Sequence, residues 1–326
     1  MRIGLGIGIC FPVFGRFLAS LPSWASLTRS STATYWDASG NIIDAAIDET
    51  RISYDPAHMS GGQGILIEPA RTNLLTNSNG AASTYASSGA TTTDLSLNAL
   101  GRFAGVQVAT QAATWNRITK STTLTAGQSY VWTAWVRGGT SGNGLFMIKQ
   151  NTTGGTSEVQ GALTALAVNG TAAGAISLIS NTLMPDGITR CVVIGFTPTA
   201  SESHSFGIGP FSTTNGVNIV VLANQIEAGT DATSYIPTGA SVVTRAADAL
   251  TTTYAAGDYD VTATAVGGAV ETLTGVTLAS GEWPPITTRF LKAITITAVA
   301  AAWIMSAGSW NDSAQWDDTG LWKDSA

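Results

Sequence analysis

Charge is what this chain has least of. Only 11% of its 326 residues are Asp, Glu, Lys or Arg, against roughly 25% in an ordinary soluble domain. Thr, Ser, Ala, Gly and Asn make up the difference, a mixture that suits strands and turns and leaves little room for helix. The 15 Lys and Arg are outnumbered by 21 Asp and Glu, for a net charge of −6, and nowhere gather into a basic cluster. That excludes a nucleic-acid binder, whose affinity comes mainly from Lys and Arg neutralising phosphates. Cysteine is equally scarce: Cys10 and Cys191 lie far apart, which excludes a disulfide framework. Cys191 opens the apolar run Cys191-Val-Val-Ile-Gly-Phe196 and reads as a small buried hydrophobe. The two histidines, His58 and His204, stand apart from any Cys, Asp or Glu cluster. No metal site of the usual zinc kinds is expected, nor a catalytic histidine, nor a cofactor.

Long hydrophobic runs are missing as well. The most apolar stretch, Met1-Arg-Ile-Gly-Leu-Gly-Ile-Gly-Ile-Cys-Phe11, is shorter than the roughly 20 residues a helix needs to cross a bilayer, so no membrane insertion is expected. As a signal peptide it is weakened by glycine at every second position and by the early Arg16. Gly4-x-Gly6-x-Gly8 also lacks the third glycine and the setting of a dinucleotide fingerprint. What the segment does have is period 2. Ile3, Leu5, Ile7 and Ile9 share one face and Gly4, Gly6 and Gly8 the other, giving an extended strand with one apolar side and one bare side open to another backbone. Such a strand cannot bury itself alone. It is expected either to anchor the chain in a neighbouring protein or sister subunit by strand addition or groove insertion, or to be an ordinary first strand of the chain's own fold.

The middle of the chain is read as strands at Arg102–Val108, Tyr130–Val136, Leu145–Lys149, Ala175–Ile179, Arg190–Phe196, Ser205–Ile208 and Val217–Ile226, separated by Gly, Thr and Ser turns. That spacing predicts an antiparallel sandwich. In Gln128-Ser-Tyr-Val-Trp-Thr-Ala-Trp-Val-Arg137, alternation puts Tyr130, Trp132, Ala134 and Val136 on a core face, with Val131, Thr133, Trp135 and Arg137 opposite. A large ring beside a hydroxyl and a cation has the composition of a sugar-binding surface. Trp135 and Arg137, joined by Trp115 and Arg117 from just upstream, are therefore candidate carbohydrate contacts; the alternative is that Trp135 covers a second sheet or a subunit interface.

Two phrases bracket this middle: Gly64-Ile-Leu-Ile-Glu-Pro-Ala-Arg-Thr-Asn-Leu-Leu75, and Asn224-Gln-Ile-Glu-Ala-Gly-Thr-Asp-Ala-Thr-Ser-Tyr-Ile-Pro-Thr238 followed by Val243-Thr-Arg-Ala-Ala-Asp248. In the first, Ile65, Leu66 and Ile67 read as a buried strand stopped at Pro69, with Glu68 and Arg71 either paired across the turn or separately solvated. In the second, the β-branched run from Val217 is ended by Gly229-Thr-Asp. Ile65–Ile67 and Val217–Ile226 are expected to be the first and last strands of one sandwich. Together with Thr28-Arg-Ser-Ser-Thr-Ala-Thr-Tyr-Trp-Asp-Ala-Ser-Gly40 upstream, the phrases resemble a module of tail and fibre proteins of tailed bacteriophages. The resemblance covers most of residues 28–248.

That resemblance implies an all-β chain: an antiparallel jelly-roll-like β-sandwich, similar to carbohydrate-binding modules, with a short N-terminal anchor strand and a small C-terminal β domain. The expected divisions are an anchor at 1–17, a connecting region with short strands at 18–63, the sandwich at 64–249 and the C-terminal domain at 250–326. It further implies a structural fibre or spike component of a virion, assembled in the host cytoplasm, not an enzyme. Its partners would be other virion proteins through the N-terminal segment, sister chains in a homotrimer, and host surface glycans. The alternatives are a head or collar decoration protein, and a glycan-depolymerising tail spike, for which Glu158, Asp186 and Glu202 are isolated acidic candidates.

Beyond residue 250 the chain alternates again at Asp258–Val266, Ala269–Val276 and Phe290–Val299, with Gly267-Gly268 as a two-residue hairpin. Its last stretch spaces Trp310, Trp316 and Trp322 by six. Exposed rings at that density are expected to face a partner chain or a ligand. The adjoining Asp312, Asp317 and Asp318 lack the alternating ligands and closing glutamate of an EF-hand.

Overall fold

A computed structural model of the chain describes residues 20–54, 62–111 and 116–299. The proposed anchor residues Ile3, Gly4, Leu5, Gly6, Ile7, Gly8 and Ile9, the tail tryptophans Trp310, Trp316 and Trp322, and Trp115 lie outside the described residues.

Strands dominate, as the Thr- and Val-rich alternation requires. The first part holds β1 (Ala25–Thr28), β2 (Ala33–Trp36), β3 (Ile42–Ala45), β4 (Ile52–Tyr54), β5 (Gln63–Leu66) and β6 (Arg71–Asn73). The middle holds β7 (Ala86–Ser88), β8 (Ala90–Asp94), β9 (Val106–Thr110), β10 (Arg117–Leu124), β11 (Tyr130–Gly138) and β12 (Asn143–Gln150). It continues through β13 (Thr156–Ala162), β14 (Ala165–Thr171), β15 (Gly174–Leu183), β16 (Thr189–Pro198), β17 (Glu202–Pro210) and β18 (Asn218–Ala228). Last come β19 (Val243–Arg245), β20 (Ala249–Thr252), β21 (Gly257–Ala265), β22 (Val270–Leu278) and β23 (Phe290–Ala298). Apart from one 3-10 turn at Ala82–Thr84, no helix interrupts them among the described residues.

Two six-stranded antiparallel sheets form the sandwich, one ordered β14-β13-β12-β17-β10-β7 (the front sheet) and the other β15-β16-β11-β18-β9-β8 (the back sheet). Alternation along β11 works as expected: Tyr130, Trp132, Ala134 and Val136 all enter the main core. Trp132, 1% exposed, meets Phe146 and Phe206 of the front sheet edge-on, with ring centroids 5.9 and 5.2 Å apart, a favoured geometry for aromatic pairs. A second, smaller core lies on the opposite side of the back sheet. There Trp36, Ile42, Leu100, Phe103 and Tyr235 cover Trp135 and Leu222, so this sheet is buried on both faces.

The opening phrase behaves differently from expectation. Gly64, Ile65 and Leu66 sit in β5, which joins neither sandwich sheet; it pairs with β4 and β23 in a five-stranded sheet ordered β22-β21-β23-β5-β4. Ile65 is fully buried against Leu291 and Ala263. Only the closing phrase, in β18, belongs to the sandwich, where it is the last strand in chain order, as expected, and lies between β11 and β9. Boundaries at 63/64 and 249/250 would thus cut through paired strands, since β1 also pairs with β20. The Gly267-Gly268 hairpin forms as expected, with the Gly268 N–H donating to Ala265 O and the Ala265 N–H to Ala269 O.

Removing β21–β23 would expose Ile65 and leave β5 paired on one edge only, with β4. A fragment ending at residue 249 should therefore lose solubility, or unfold at lower denaturant with a broadened transition, in a urea titration followed by circular dichroism. A midpoint equal to that of the full chain would show that the sandwich stands alone.

Candidate functional site

The residues of the two phrases meet in one buried ionic cluster. Glu68, 2% exposed, lies just beyond β5, and Asp248 precedes β20; the two bond reciprocally, since the Asp248 N–H donates to Glu68 O at 2.9 Å and the Glu68 N–H to the side-chain Asp248 Oδ2 at 2.8 Å. Arg51 bridges the two carboxylates, with Nη1 2.6 Å from Glu68 and Nη2 on Asp248. Arg29 holds the other Asp248 oxygen at 2.8 Å, and its Nε and Nη2 serve the carbonyls of Ser31, Ala46 and Glu49. Arg245 and Arg289 complete the set around Glu68.

Glu68 accepts further from the Ser234 N–H at 2.7 Å and the Ser234 hydroxyl at 2.6 Å. Burial alone would push its pKa up, but Arg245, Arg51, Arg289 and the Ser234 hydroxyl outweigh that and hold it at about 2. Of the two alternatives for Glu68 and Arg71, pairing across the turn does not form, and Glu68 is not solvated. Glu68 turns inward to three other arginines, while Arg71 donates to Ala70 O at 3.1 Å and lies against Gly229. A Cβ at Gly229 would come within 2.8 Å of the Arg71 guanidinium, and its φ of +136° is unfavourable for other residues.

Around this cluster the neutral polar residues of the phrases pin the segment from Gly229 to Thr238. Gln225 Oε1 accepts the Ile236 N–H at 2.8 Å, and its Nε2 donates to Glu227 and to Thr233 O. Glu227, fully buried, accepts from the Thr233 N–H at 3.1 Å and from the Thr233 hydroxyl. Burial raises the pKa of Glu227, and Thr233 and Arg245 only partly offset it. Asn73 staples β6 to β18 by accepting the Ile226 N–H and donating to Ile236 O. The Tyr235 hydroxyl meets Ser78 Oγ at 2.6 Å.

The pinned segment forms one wall of a cleft of about 200 Å³ on the outer side of the back sheet. The floor consists of two cross-strand rows, Ser180–Val193–Thr133 and Thr182–Cys191–Trp135. A bulge between Leu178 and Ser180 makes this possible: the extra residue reverses the alternation of β15, so Ile176 and Leu178 pack on the core while Ser180 and Thr182 face the cleft. Trp36, Leu66, Arg289 and Phe290 close the other side. Thr133 Oγ1, Trp135 Nε1 and Arg289 Nε have no hydrogen-bond partner.

The four expected carbohydrate contacts do not form one surface. Trp135 is 3% exposed and packs against Phe103 and Tyr235 at 5.7 and 5.3 Å, so its ring offers no open face for a pyranose. Arg137 is tied to Asp186 at 2.8 Å and to the Thr189 hydroxyl. Arg117 begins β10 in the front sheet and its side chain lies over Gly207, on the far side of the sandwich from Trp135. The carboxylates expected for a depolymerase are likewise dispersed. Glu158 lies on β13, Asp186 is held by Arg137 and Thr189, and Glu202 accepts from the Thr152 and Thr153 N–H groups. No cluster of three or more His, Cys, Asp or Glu suited to a metal occurs among the described residues.

Sequence reasoning found the floor residues Thr133 and Trp135 but missed Arg289 and the Ala232–Tyr235 wall, whose approach depends on pairings distant in sequence. Comparison with protein-family models and with curated proteins finds no match to the chain. The class of protein that fold and cluster define is an antiparallel jelly-roll-like β-sandwich braced by a buried arginine–carboxylate network.

Every oxygen of Glu68 accepts from a donor, so Glu68→Gln would turn an amide N–H₂ towards guanidinium groups. It should destabilise the fold by about 3–5 kcal/mol, the range for breaking a buried pair, in chemical denaturation. Glu227→Gln, in which one amide end replaces an acid that burial already disfavours as an anion, should change stability by less than about 1 kcal/mol. Because the folded-state pKa of Glu68 is depressed from 4.5 to about 2, its stabilisation is complete above pH about 4.5 and is lost as pH falls towards 2. Acid unfolding of the wild type should therefore steepen in that window, and Glu68→Gln should flatten it.

Proposed function

We propose that the chain is a structural fibre or spike component of a phage virion that presents its β-sandwich outward, held to the particle by its N-terminal segment and in contact with host surface glycans. One observation carries this reading. The residues on which the resemblance to phage tail and fibre modules rests are the residues that brace the architecture: Arg29, Glu68, Asn73, Gln225, Glu227, Arg245 and Asp248 are all buried, and all of them bond across to another of the three phrases or to the segment they pin. Asn73, the link from β6 to β18, accepts within the closing phrase itself. The likeness therefore concerns the frame of a display module and leaves the outward surfaces free to carry a particular specificity.

A frame of this kind suits an appendage that must survive outside a cell without cross-links. Its stability comes from two cores, one on each side of the back sheet, each large buried apolar side chain contributing roughly 1.5–3 kcal/mol. Closed symmetry is the usual arrangement of such appendages, and a homotrimer is the assembly proposed here.

Antibody raised against the recombinant sandwich should label purified particles produced in cells that express the chain, and a variant lacking residues 1–17 should remain folded yet be missing from particles. Undiminished incorporation of that variant would remove the anchor. Light scattering of the full chain should give three times the monomer mass, and the recombinant protein should adsorb to host cells.

A further inference from the structure

The cleft on the back sheet has a chemical bias that its shape alone does not convey. Its walls and floor are largely apolar, from Trp36, Trp135, Phe290 and Val193, while its charge comes from the edge of the ionic cluster. Four guanidiniums, those of Arg29, Arg51, Arg245 and Arg289, face the two carboxylates Glu68 and Asp248.

Three of those arginines have side chains no more than 1% exposed, whereas that of Arg289 is 29% exposed and lines the cleft. Of its five N–H donors, one on Nη1 serves Ala232 O and one on Nη2 serves Glu68. Two further polar groups on the floor, the Trp135 indole N–H and the Thr133 hydroxyl, are also without partners.

A part-exposed guanidinium with donors to spare, set between apolar sides, fits an acceptor group on an apolar body, and a planar guanidinium is well matched to a carboxylate. The volume, about 200 Å³, is below the roughly 300–1,000 Å³ of sites for drug-sized ligands, so the cleft has room for a single ring. We infer that this cleft binds a compact organic carboxylate, with the carboxylate on Arg289 and the ring between Trp36 and Phe290. The inference about ligand chemistry stands on the cleft itself; that the ligand is the acidic sugar of a host glycan rests on the display function proposed above.

Ligand-observed NMR titrations of the full chain with glucuronate, benzoate and glucose separate the possibilities. Glucuronate and benzoate should bind saturably at concentrations on the order of millimolar, glucose should not, and added salt should weaken both. Arg289→Gln should weaken binding by about tenfold or more, the loss of a charge-assisted hydrogen bond. Because Arg289 also touches the ionic cluster, Ser180→Trp, which fills the cleft from the edge strand β15 without touching that cluster, should have the same effect.

Binding of glucuronate without benzoate would support the cleft and the sugar source, and binding of benzoate without glucuronate would support the cleft while removing the sugar. Absence of carboxylate binding, equal binding of glucose, or unchanged binding by Ser180→Trp would overturn the inference. If the cleft failed while the chain still adsorbed to cells and joined particles, the display function would stand without it.

Discussion

Two carboxylates held among four arginines in the interior are the constraint on which the rest of this structure depends. Removing Glu68 and Asp248 from water is costly, and the cost is offset only when every oxygen finds its donors. Those donors come from remote parts of the chain: Arg29 before β2, Arg51 before β4, Ser234 and Arg245 after β18, and Arg289 before β23. A partial set leaves a buried charge uncompensated. The cluster therefore favours the single arrangement in which the N-terminal strands, the back sheet and the five-stranded sheet are all in register, and penalises partial docking of any one of them.

This accounts for why the phrases look as they do. Pro69 stops β5 and releases Glu68 from the ladder at the point where it can turn inward, and the Pro69 carbonyl then accepts from Arg245 at 2.7 Å. Gln225 and Glu227, two apart on one face of β18, hold the returning segment by its backbone groups at Thr233 and Ile236. Ser234 is thereby placed on Glu68. In a chain with so few charges, six of them meet where pairing determines topology.

Alternation made much of the sandwich legible. The faces of β11 were readable because Tyr130, Trp132, Ala134 and Val136 contrast with their neighbours, and the runs at β12, β16 and β18 are apolar enough to stand out. Strands β10, β13 and β14 were not, since Thr, Ser, Gln and Gly on their outward faces blur the period and β13 carries a bulge after Glu158. The placement of β5 failed for another reason: Ile65–Ile67 does read as a buried strand, but its partner is Leu291, and a pairing at that separation leaves no local trace. For the same reason the cation nearest Glu68 in sequence, Arg71, is not its partner; Arg51, Arg245 and Arg289 are brought to it by folding. Trp135 was assigned to the correct face of β11. What sequence could not supply was the cover over it, from Phe103 and Tyr235.

The cleft inherits its rigidity from that cover. Its wall at Ala232–Tyr235 is not a free loop, because Gln225, Glu227 and Glu68 fix its backbone and Ser78 fixes the Tyr235 hydroxyl. A ligand entering such a site would order little protein and so lose little of its binding free energy to conformational entropy. The opposite rim is different in kind: Ser180 and Thr182 lie on the edge strand β15, face outward through a bulge and take no part in the ionic cluster. Changes there would alter the shape and polarity of the cleft without disturbing the charges that hold the fold. The architecture thus separates the residues that must stay paired for the chain to fold from those that can vary to set what it recognises, and Arg289 stands where the two sets meet.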